Sequence, residues 1–409
     1  MKEKKPWPRI IAFVLAVGIA IASFTIGILQ YSHRDAGYYD VGYTNTANAE
    51  TYDSGVHLLY YAEGSSSAIR QRLNEVQKVF SDELLQYYRM LHAEKTYEGL
   101  NNIAALNAAP GQVLKVDAAL YAVLKDAYTR HELQEGYHLF SGALHAEWQG
   151  LRYLEEPQQA DPLLNMDEAE LLEELTALLS KRGLFSLEFD DANSTVILHV
   201  GEEYLKWAEQ NEIEAPVLDL NLLHDAYLLQ LVAMRMTAQG YTNGYLYTES
   251  GISIALGKQG DMEYSLYGVG ESGVETVATA ALAQPAAFCS FTVISPTDAQ
   301  YGYYKVELDG KVYYRHLYID VKSGYFTDVL MTAALGGTAD QTVDLAYAML
   351  VLNSLESAEA VAAYVKALPQ EIISAYTLQD DAERILYISS AEKEIRLQDT
   401  TYSLKGLQE

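Results

Sequence analysis

The hydrophobic and polar positions of this chain change their period along its length. Alternation at residues 57–61 predicts a strand, and apolar residues three and four apart after Ser66 predict a long helix. Helices and strands predicted in the same way are mixed, and several strands pair as hairpins, so the pattern predicts an α+β fold. Further helices are predicted near residues 117–128, 167–182, 222–238, 340–352 and 357–367. Further strands are predicted near residues 185–189, 195–200, 245–247, 252–256, 303–308, 312–320, 373–378 and 385–389.

The N-terminal part contains one long apolar run without a charged side chain, residues 10–29. At 1.5 Å per helical residue, about 20 residues cross the hydrocarbon core of a bilayer. Four basic residues precede the run, and basic flanks stay in the cytoplasm. We therefore expect a single-pass protein of the cell membrane with its main domain outside the cytoplasm. A signal peptide cleaved near residues 20–22 is the alternative.

These expectations divide the chain into four parts. They are a cytoplasmic basic tail (1–9), a transmembrane helix (10–31), a spacer (32–55) and an extracytoplasmic domain (56–409).

The charge of the chain excludes several classes of partner. The formal net charge is −28, and the first nine residues contribute +3, so the remainder carries −31. Such a polyanion repels nucleic acids and anionic lipid head groups. The chain has one cysteine, Cys289, which lies among apolar residues and is expected to be a buried thiol of the core.

One glycine-rich stretch matches a phosphate-binding pattern. Residues 268–273 (GVGESG) fit GxGxxG, with a strand-like segment before them and a helix-like one after them at residues 274–283. However, Glu271 stands where a pyrophosphate would approach, and no parallel βαβ pattern surrounds it. We interpret the stretch as a loop.

Two groups of polar residues are candidates for binding a ligand. Asp340 and Asp344 are four residues apart on a predicted helix, a spacing that lets two carboxylates share a cation such as Mg²⁺. The alternative for Asp340 is an acid in the first helical turn, favoured by the helix dipole. The second group lies on the hairpin at residues 303–325, where alternation gives either a face for an anionic ligand or a solvated face. Its members are Lys311, Arg315, His316, Asp320 and Lys322.

Six segments in order resemble the motifs of the ApbE-type FAD:protein FMN transferases. The resemblance covers roughly residues 50–370 and depends on the order of the segments more than on any one of them. The segments are NNIAALN, GYHLFSGALHAEW, VLDLNLLHDAY, TESGISIALG, DGKVYYRHLYIDVKSGY and VDLAYAML.

The resemblance implies a fold, a reaction and a set of site residues. The fold is a mixed domain of helices and antiparallel sheet, and the reaction cleaves FAD at its pyrophosphate with Mg²⁺ and transfers FMN to Ser or Thr of a partner protein. A flavoprotein acceptor outside the cytoplasm is therefore the expected partner. The implied cofactor-binding residues are Asn107, Asp219, Tyr227, Gly251, Asp320, Ser323 and Gly324. The implied metal ligand is Asp344, to which the spacing adds Asp340 as a second candidate, and the implied catalytic positions are His316 and Asp225.

Several positions depart from the family pattern. Asn221 and Leu222 replace two glycines, Asp225 replaces a lysine, and Ala226 replaces a third glycine. Ala348 stands where the family has a metal-binding threonine, and His316 is one residue away from the family histidine position. A carboxylate near a pyrophosphate costs several kcal/mol. The sequence therefore predicts a flavin transferase with weak or lost activity.

Two alternatives remain open at this point. One is a catalytically inactive relative that binds flavin or a partner protein. The other is an unrelated extracytoplasmic solute-binding domain.

Overall fold

The computed structural model describes eight stretches of the chain, and the predicted transmembrane span at residues 10–31 lies outside them. Within the described stretches no helix is both long and apolar enough to cross a bilayer. The described residues are 35–44, 54–257, 262–270, 273–282, 286–294, 302–379, 383–389 and 395–407.

Six helices of the described part were predicted from the sequence patterns, and short 3₁₀ turns lie at Asn221–Leu223 and Ala339–Gln341. Four further helices were not predicted: Ile103–Ala108, Gly142–Arg152, Pro157–Ala160 and Glu202–Gln210. The helices are α1 (Ser66–Leu91), α2 (Ile103–Ala108), α3 (Ala118–Leu133), α4 (Gly142–Arg152), α5 (Pro157–Ala160), α6 (Met166–Leu179), α7 (Glu202–Gln210), α8 (His224–Ala238), α9 (Thr342–Leu352) and α10 (Ala358–Ala367).

The strands form one large sheet and smaller ones. The strands are β1 (Gly37–Asp40), β2 (Val56–Ala62), β3 (Leu114–Lys115), β4 (Phe185–Asp190), β5 (Thr195–Val200), β6 (Gly244–Thr248), β7 (Ile252–Ala255), β8 (Met262–Gly270), β9 (Gly273–Leu282), β10 (Ala286–Thr292), β11 (Tyr304–Leu308), β12 (Lys311–Arg315), β13 (Leu330–Thr338), β14 (Ile373–Leu378), β15 (Ile385–Ile388), β16 (Ile395–Leu397) and β17 (Ser403–Gly406). The nine-stranded sheet has the order β1-β2-β6-β7-β10-β13-β14-β15-β17, and its pairs are antiparallel except β15 with β17.

Layers of helix and sheet cover the two faces of the large sheet. Helices α1, α8 and α9 pack on one face, with α9 against β10 and β13. On the other face, β8, β9 and β16 form a three-stranded sheet that contributes to a second apolar cluster with β10, β13, β14 and β15. The mixed α+β architecture with a mainly antiparallel sheet is the one predicted.

Local signals account for the elements that were predicted. Ser65 caps α1, its hydroxyl accepting from the N–H of Ala68 at 3.3 Å, and Asp117 caps α3 in the same way. Alternate residues of β2 are buried, as the period of two requires. The predicted hairpin at residues 303–320 also forms, but its second strand ends at Arg315.

The prediction for the stretch after the glycine-rich motif is wrong. Residues 274–283 are helix-like in sequence, yet β9 occupies residues 273–282 and pairs antiparallel with β8. Gly270 and Gly273 face each other at the end of this hairpin. The motif therefore closes a β-hairpin, and a dinucleotide fold with a helix after the glycines is excluded.

The segment interpreted as a spacer contributes to the sheet. Strand β1 lies within residues 32–55 and pairs with β2, with Tyr38 opposite Tyr61. The sheet thus begins at Gly37, only a few residues after the predicted membrane span.

A buried ion pair connects the β11–β12 hairpin to the helices. Arg315 at the end of β12 is 2 % exposed, and Asp161 after α5 is fully buried. Two parallel bonds of 2.7 and 3.0 Å join the guanidinium to the carboxylate, and the hydroxyl of Tyr304 donates to the same carboxylate at 2.8 Å. The guanidinium also lies 5.6 Å from the ring centre of Trp148. Each buried charge is therefore paired and hydrogen-bonded.

We predict that breaking this pair is costly. Asp161→Asn leaves the Arg315 guanidinium buried without a counter-ion, so the free energy of unfolding should fall by about 3–5 kcal/mol. Urea unfolding of the full chain measures the change. The exposed pair of Glu202 and Lys206 provides the control, and Glu202→Gln should cost less than about 1 kcal/mol. Equal losses for the two variants would contradict the prediction.

Candidate functional site

Asn107 joins two of the segments that carry the resemblance. Its amide nitrogen donates to the carbonyl oxygens of Leu218 at 2.8 Å and Ala93 at 3.1 Å. Its amide oxygen accepts from the N–H of Leu218 at 2.8 Å. Both ends of the amide therefore bind backbone, and Asn107 positions the segment that leads to Asp219.

The loop before α8 keeps a left-handed turn without glycine. Asn221 has a φ of 51°, in the region that asparagine tolerates best after glycine. Its N–H donates to Oδ1 of Asp219 at 2.8 Å, and its side chain donates to Oγ of Ser141 at 3.1 Å. Burial raises the pKa of Asp219. Asparagine therefore keeps the backbone conformation of a position where the family pattern has glycine.

The first turn of α8 meets the turn between β6 and β7. Oδ2 of Asp225 accepts from Oγ of Ser250 at 2.6 Å, and its Oδ1 lies 3.2 Å from Nδ1 of His224. Gly251 has a φ of 89° and lies close to strand β10. A Cβ at this position would be 2.4 Å from the carbonyl oxygen of Ser290. Because Ser250 directly precedes Gly251, the contact of Asp225 with Ser250 places the first turn of α8 beside this glycine turn.

A second group surrounds Arg130 and is called the Arg130 cluster here: Asp126, Arg130, Tyr227 and Asp344. Nε of Arg130 lies 2.9 Å from Asp126 Oδ2, and its Nη2 lies 2.8 Å from Asp344 Oδ1. The hydroxyl of Tyr227 donates to Asp126 at 2.5 Å. Burial disfavours the charged guanidinium, but the hydrogen bonds to Asp126 and Asp344 outweigh it and raise the pKa of Arg130. The cluster ties α3, α8 and α9 together.

The residues around Asp344 do not fit a bound Mg²⁺. Its carboxylate already neutralises Arg130, and Ala348, one turn later, offers no oxygen. The hydroxyl of Tyr137 is buried nearby and has no hydrogen-bond partner among the described residues. Burial raises the pKa of this phenol, so it stays neutral. Mg²⁺ prefers carboxylates and water. Among the described residues no group of three or more His, Cys, Asp or Glu side chains could hold a metal.

The second predicted metal ligand, Asp340, lies just before α9. Asp340 lies in the 3₁₀ turn before α9, where its side chain is exposed. Its carbonyl oxygen accepts from the side chain of Gln230 on α8 at 3.4 Å. Asp340 thus contributes its backbone to the contact between α8 and α9.

Asp320, Ser323 and Gly324 form a closed turn. The buried carboxylate of Asp320 accepts from Oγ of Ser323 at 2.7 Å and from the N–H groups of Lys322 and Ser323 at 3.2 and 3.1 Å. The carbonyl oxygen of Gly324 accepts from the indole N–H of Trp148 at 2.7 Å. The polar groups of the turn therefore stabilise the turn and its contact with α4.

This turn and the Arg130 cluster lie at opposite ends of α9. The hydroxyl of Thr327, just after the turn, donates at 2.9 Å to the carbonyl oxygen of Asn353, which caps the C-terminus of α9. Asp344 lies nine residues before Asn353, or about 14 Å along the helix axis. The turn at Asp320 thus lies near the C-terminal end of α9, whereas Asp344 lies in its first turn.

His316 is a buried residue of the segment between β12 and the turn at Asp320. It is 1 % exposed, its Nδ1 accepts from the N–H of Tyr318 at 3.2 Å, and its ring contacts Phe291 and Phe326. Burial, followed by the charges of Arg152 and Arg315, lowers its pKa well below the ordinary value. The imidazole is therefore neutral, and the structure encloses it among aromatic rings.

Cys289 is a thiol of the core, as predicted from the sequence. It is fully buried, and burial raises its pKa to about 12. A protonated thiol of this kind is a poor nucleophile.

Sequence analysis missed Asp126 and Arg130. A signal was present, because the two residues are four apart on the helix predicted after residue 117, a spacing that favours an ion pair. Nothing in the local sequence showed that Asp344, more than 200 residues later, would share the same guanidinium.

Comparison with known proteins identifies the fold. The chain matches the ApbE protein of Thermotoga maritima with a TM-score of 0.57 and 13% identity, over 88% of this chain and 97% of that one. It matches the flavin transferase ApbE of Vibrio cholerae with a TM-score of 0.54 and 13% identity, over 85% and 94%. No family model matches the sequence, and no curated protein matches it. The chain therefore has the fold of the ApbE flavin transferases, as the resemblance implied.

We predict that Asn221 is held in its left-handed conformation. Asn221→Ala and Asn221→Gly both lose the bond to Ser141, but only alanine is strained at this φ. The alanine variant should be less stable than the glycine variant by about 1 kcal/mol in urea unfolding. A more stable alanine variant would mean that the turn is not left-handed.

We also predict an acid sensitivity that depends on His316. Its folded pKa is lowered, so below pH about 6.5 the unfolded chain binds more protons and the free energy of unfolding falls. His316→Asn keeps an acceptor for Tyr318 and removes the titrating ring. Between pH 6 and pH 5 the unsubstituted protein should lose about 1 kcal/mol more than this variant.

The control for this experiment is His199, whose side chain is 47% exposed. His199→Asn should follow the pH dependence of the unsubstituted protein. If His316→Asn follows it too, the buried imidazole does not control the acid response.

Proposed function

We propose that this protein is a membrane-anchored relative of the FAD:protein FMN transferases, with its main domain outside the cytoplasm, and that it transfers FMN weakly or not at all. The fold supports the relationship, since about nine-tenths of the chain superposes on the Thermotoga maritima protein. The apolar run at residues 10–29 and its basic flank support the anchor and its direction.

The observation that carries the proposal is the acidic character of the site. Asp225 occupies the position where the family pattern has a lysine, and Ser250 hydrogen-bonds its carboxylate. Asp219 lies six residues earlier in the loop that leads to the same helix. At about 4 Å, a carboxylate and a phosphate repel by about 4 kcal/mol at the effective dielectric constant near a protein surface. Binding of a pyrophosphate here is therefore disfavoured.

The remaining family features support binding of flavin or of a partner protein without efficient transfer of FMN. The fold keeps the left-handed turn at Asn221 and the close backbone approach at Gly251. His316, the histidine nearest in sequence to the family histidine position, is enclosed in the core. A role in binding flavin or a partner protein accounts for a preserved framework around altered chemistry.

A labelling assay tests the proposal. The full chain in detergent is incubated with FAD, Mg²⁺ and an extracytoplasmic flavoprotein acceptor, and covalent flavin is followed by fluorescence on a denaturing gel. The flavin transferase of Vibrio cholerae with its own acceptor is the positive control. We expect labelling slower than the control by roughly a hundredfold or more, the loss that follows removal of one stabilising group in a transition state.

A charge variant sharpens the assay. Asp225→Lys restores the family residue and should raise the labelling rate, whereas Glu202→Lys, an equal change of charge on the exposed face of α7, should not. Rapid labelling by the unsubstituted chain that disappears in Asp344→Ala would contradict the proposal and establish an active enzyme. Absence of labelling, with flavin retained in gel filtration, would identify the inactive binding protein. Absence of flavin binding would favour the solute-binding alternative.

A further inference from the structure

The guanidinium of Arg130 lies where the resemblance implies a divalent cation. Of the predicted metal ligands, Asp344 is the one that α9 places beside α3 and α8. Nη2 of Arg130 donates a hydrogen bond to its Oδ1 at 2.8 Å. The same guanidinium binds both oxygens of Asp126, at 2.9 and 3.4 Å. Two carboxylates from distant parts of the chain thus share one positive charge.

This guanidinium is held firmly. The side chain of Arg130 is 15% exposed, compared with 45% for Asp126 and 55% for Asp344. Its centre lies 5.2 Å from the ring centre of Tyr347, a distance at which the ring stabilises the cation. The hydroxyl of Tyr227 donates to Oδ2 of Asp126, the oxygen that Nε of Arg130 also binds. A metal ion at Oδ1 of Asp344 would have to displace the charge-assisted bond from Arg130, and a metal at the other oxygen beside an unmoved Arg130 would place two cations together.

We infer that Arg130 replaces the divalent cation at Asp344, so that the site does not bind a metal and Asp344 instead holds α9 to α3. This inference rests on the proposed function, since it concerns the same site. It goes further because it assigns Asp344 a partner within the chain and makes any flavin binding independent of divalent metal.

Titration with Mn²⁺ tests the inference without flavin. The full chain in detergent is titrated with Mn²⁺, and free Mn²⁺ is measured by its electron paramagnetic resonance signal. The polyanionic surface will bind some Mn²⁺ weakly, so the amount of bound Mn²⁺ is compared between the unsubstituted chain and Asp344→Asn. We expect the two proteins to bind the same amount.

Removal of the guanidinium should create the site that it now fills. Arg130→Gln frees both carboxylates and should bind Mn²⁺ roughly tenfold more tightly than the unsubstituted chain, a gain that Asp344→Asn in the same chain abolishes. Lys125→Gln is the matched control, because Lys125 is on the same helix and pairs with the exposed Asp191. The Lys125→Gln variant should bind Mn²⁺ with the affinity of the unsubstituted chain.

Two results would overturn the inference. One is stoichiometric Mn²⁺ binding by the unsubstituted chain that is lost in Asp344→Asn, a comparison that does not require the Arg130 variant to fold. The other is a folded Arg130→Gln protein that gains no site. Neither result depends on flavin transfer, so the proposed function and this inference can fail separately.

Discussion

The buried bond between Arg315 and Asp161 constrains the position of the region between β12 and β13. The pair is desolvated, bidentate and joined by Tyr304, so the end of β12 has little freedom to move. The segment after β12 then carries His316 into the core and reaches the turn at Asp320, where Trp148 binds the carbonyl oxygen of Gly324. An ion pair and one indole bond thus set where this part of the proposed site lies.

The Arg130 cluster differs from the Arg315–Asp161 pair in the exposure of its carboxylates. Its cation is largely buried while its two carboxylates are about half exposed, so water stabilises the excess negative charge. The cluster contributes contacts between three helices rather than a strongly positive surface. Together with Asp219 and Asp225, the cluster gives the predicted site residues an excess of negative charge, in keeping with the net charge of −28. This excess of carboxylates over cations is the electrostatic observation that supports the proposed weak transfer.

Elements with strong local signals were predictable from the sequence. The start of α3 at Asp117, the alternation in β2 and the β11–β12 hairpin formed where the pattern placed them, and α1 begins at the predicted Ser66, with Ser65 as its cap. Strand β9 was not predictable, because an alanine-rich segment has weak periodicity and its state depends on pairing with β8 and β16. Strand β1 was missed because four residues among Tyr, Gly and Asp form a strand only when β2 offers its edge.

The sequence by itself determined the class of fold, the ordered family segments, the acidic charge and the candidate residues, because these depend on residue type, period and order. The tertiary structure decided what those residues contact. It buried His316 in the core, and it paired the carboxylate of Asp320 with Ser323 of the same turn. It also paired Asp344 with Arg130. The physical reason is that an ion pair or a buried ring depends on distances between segments far apart in the chain, and local patterns contain no information about those distances.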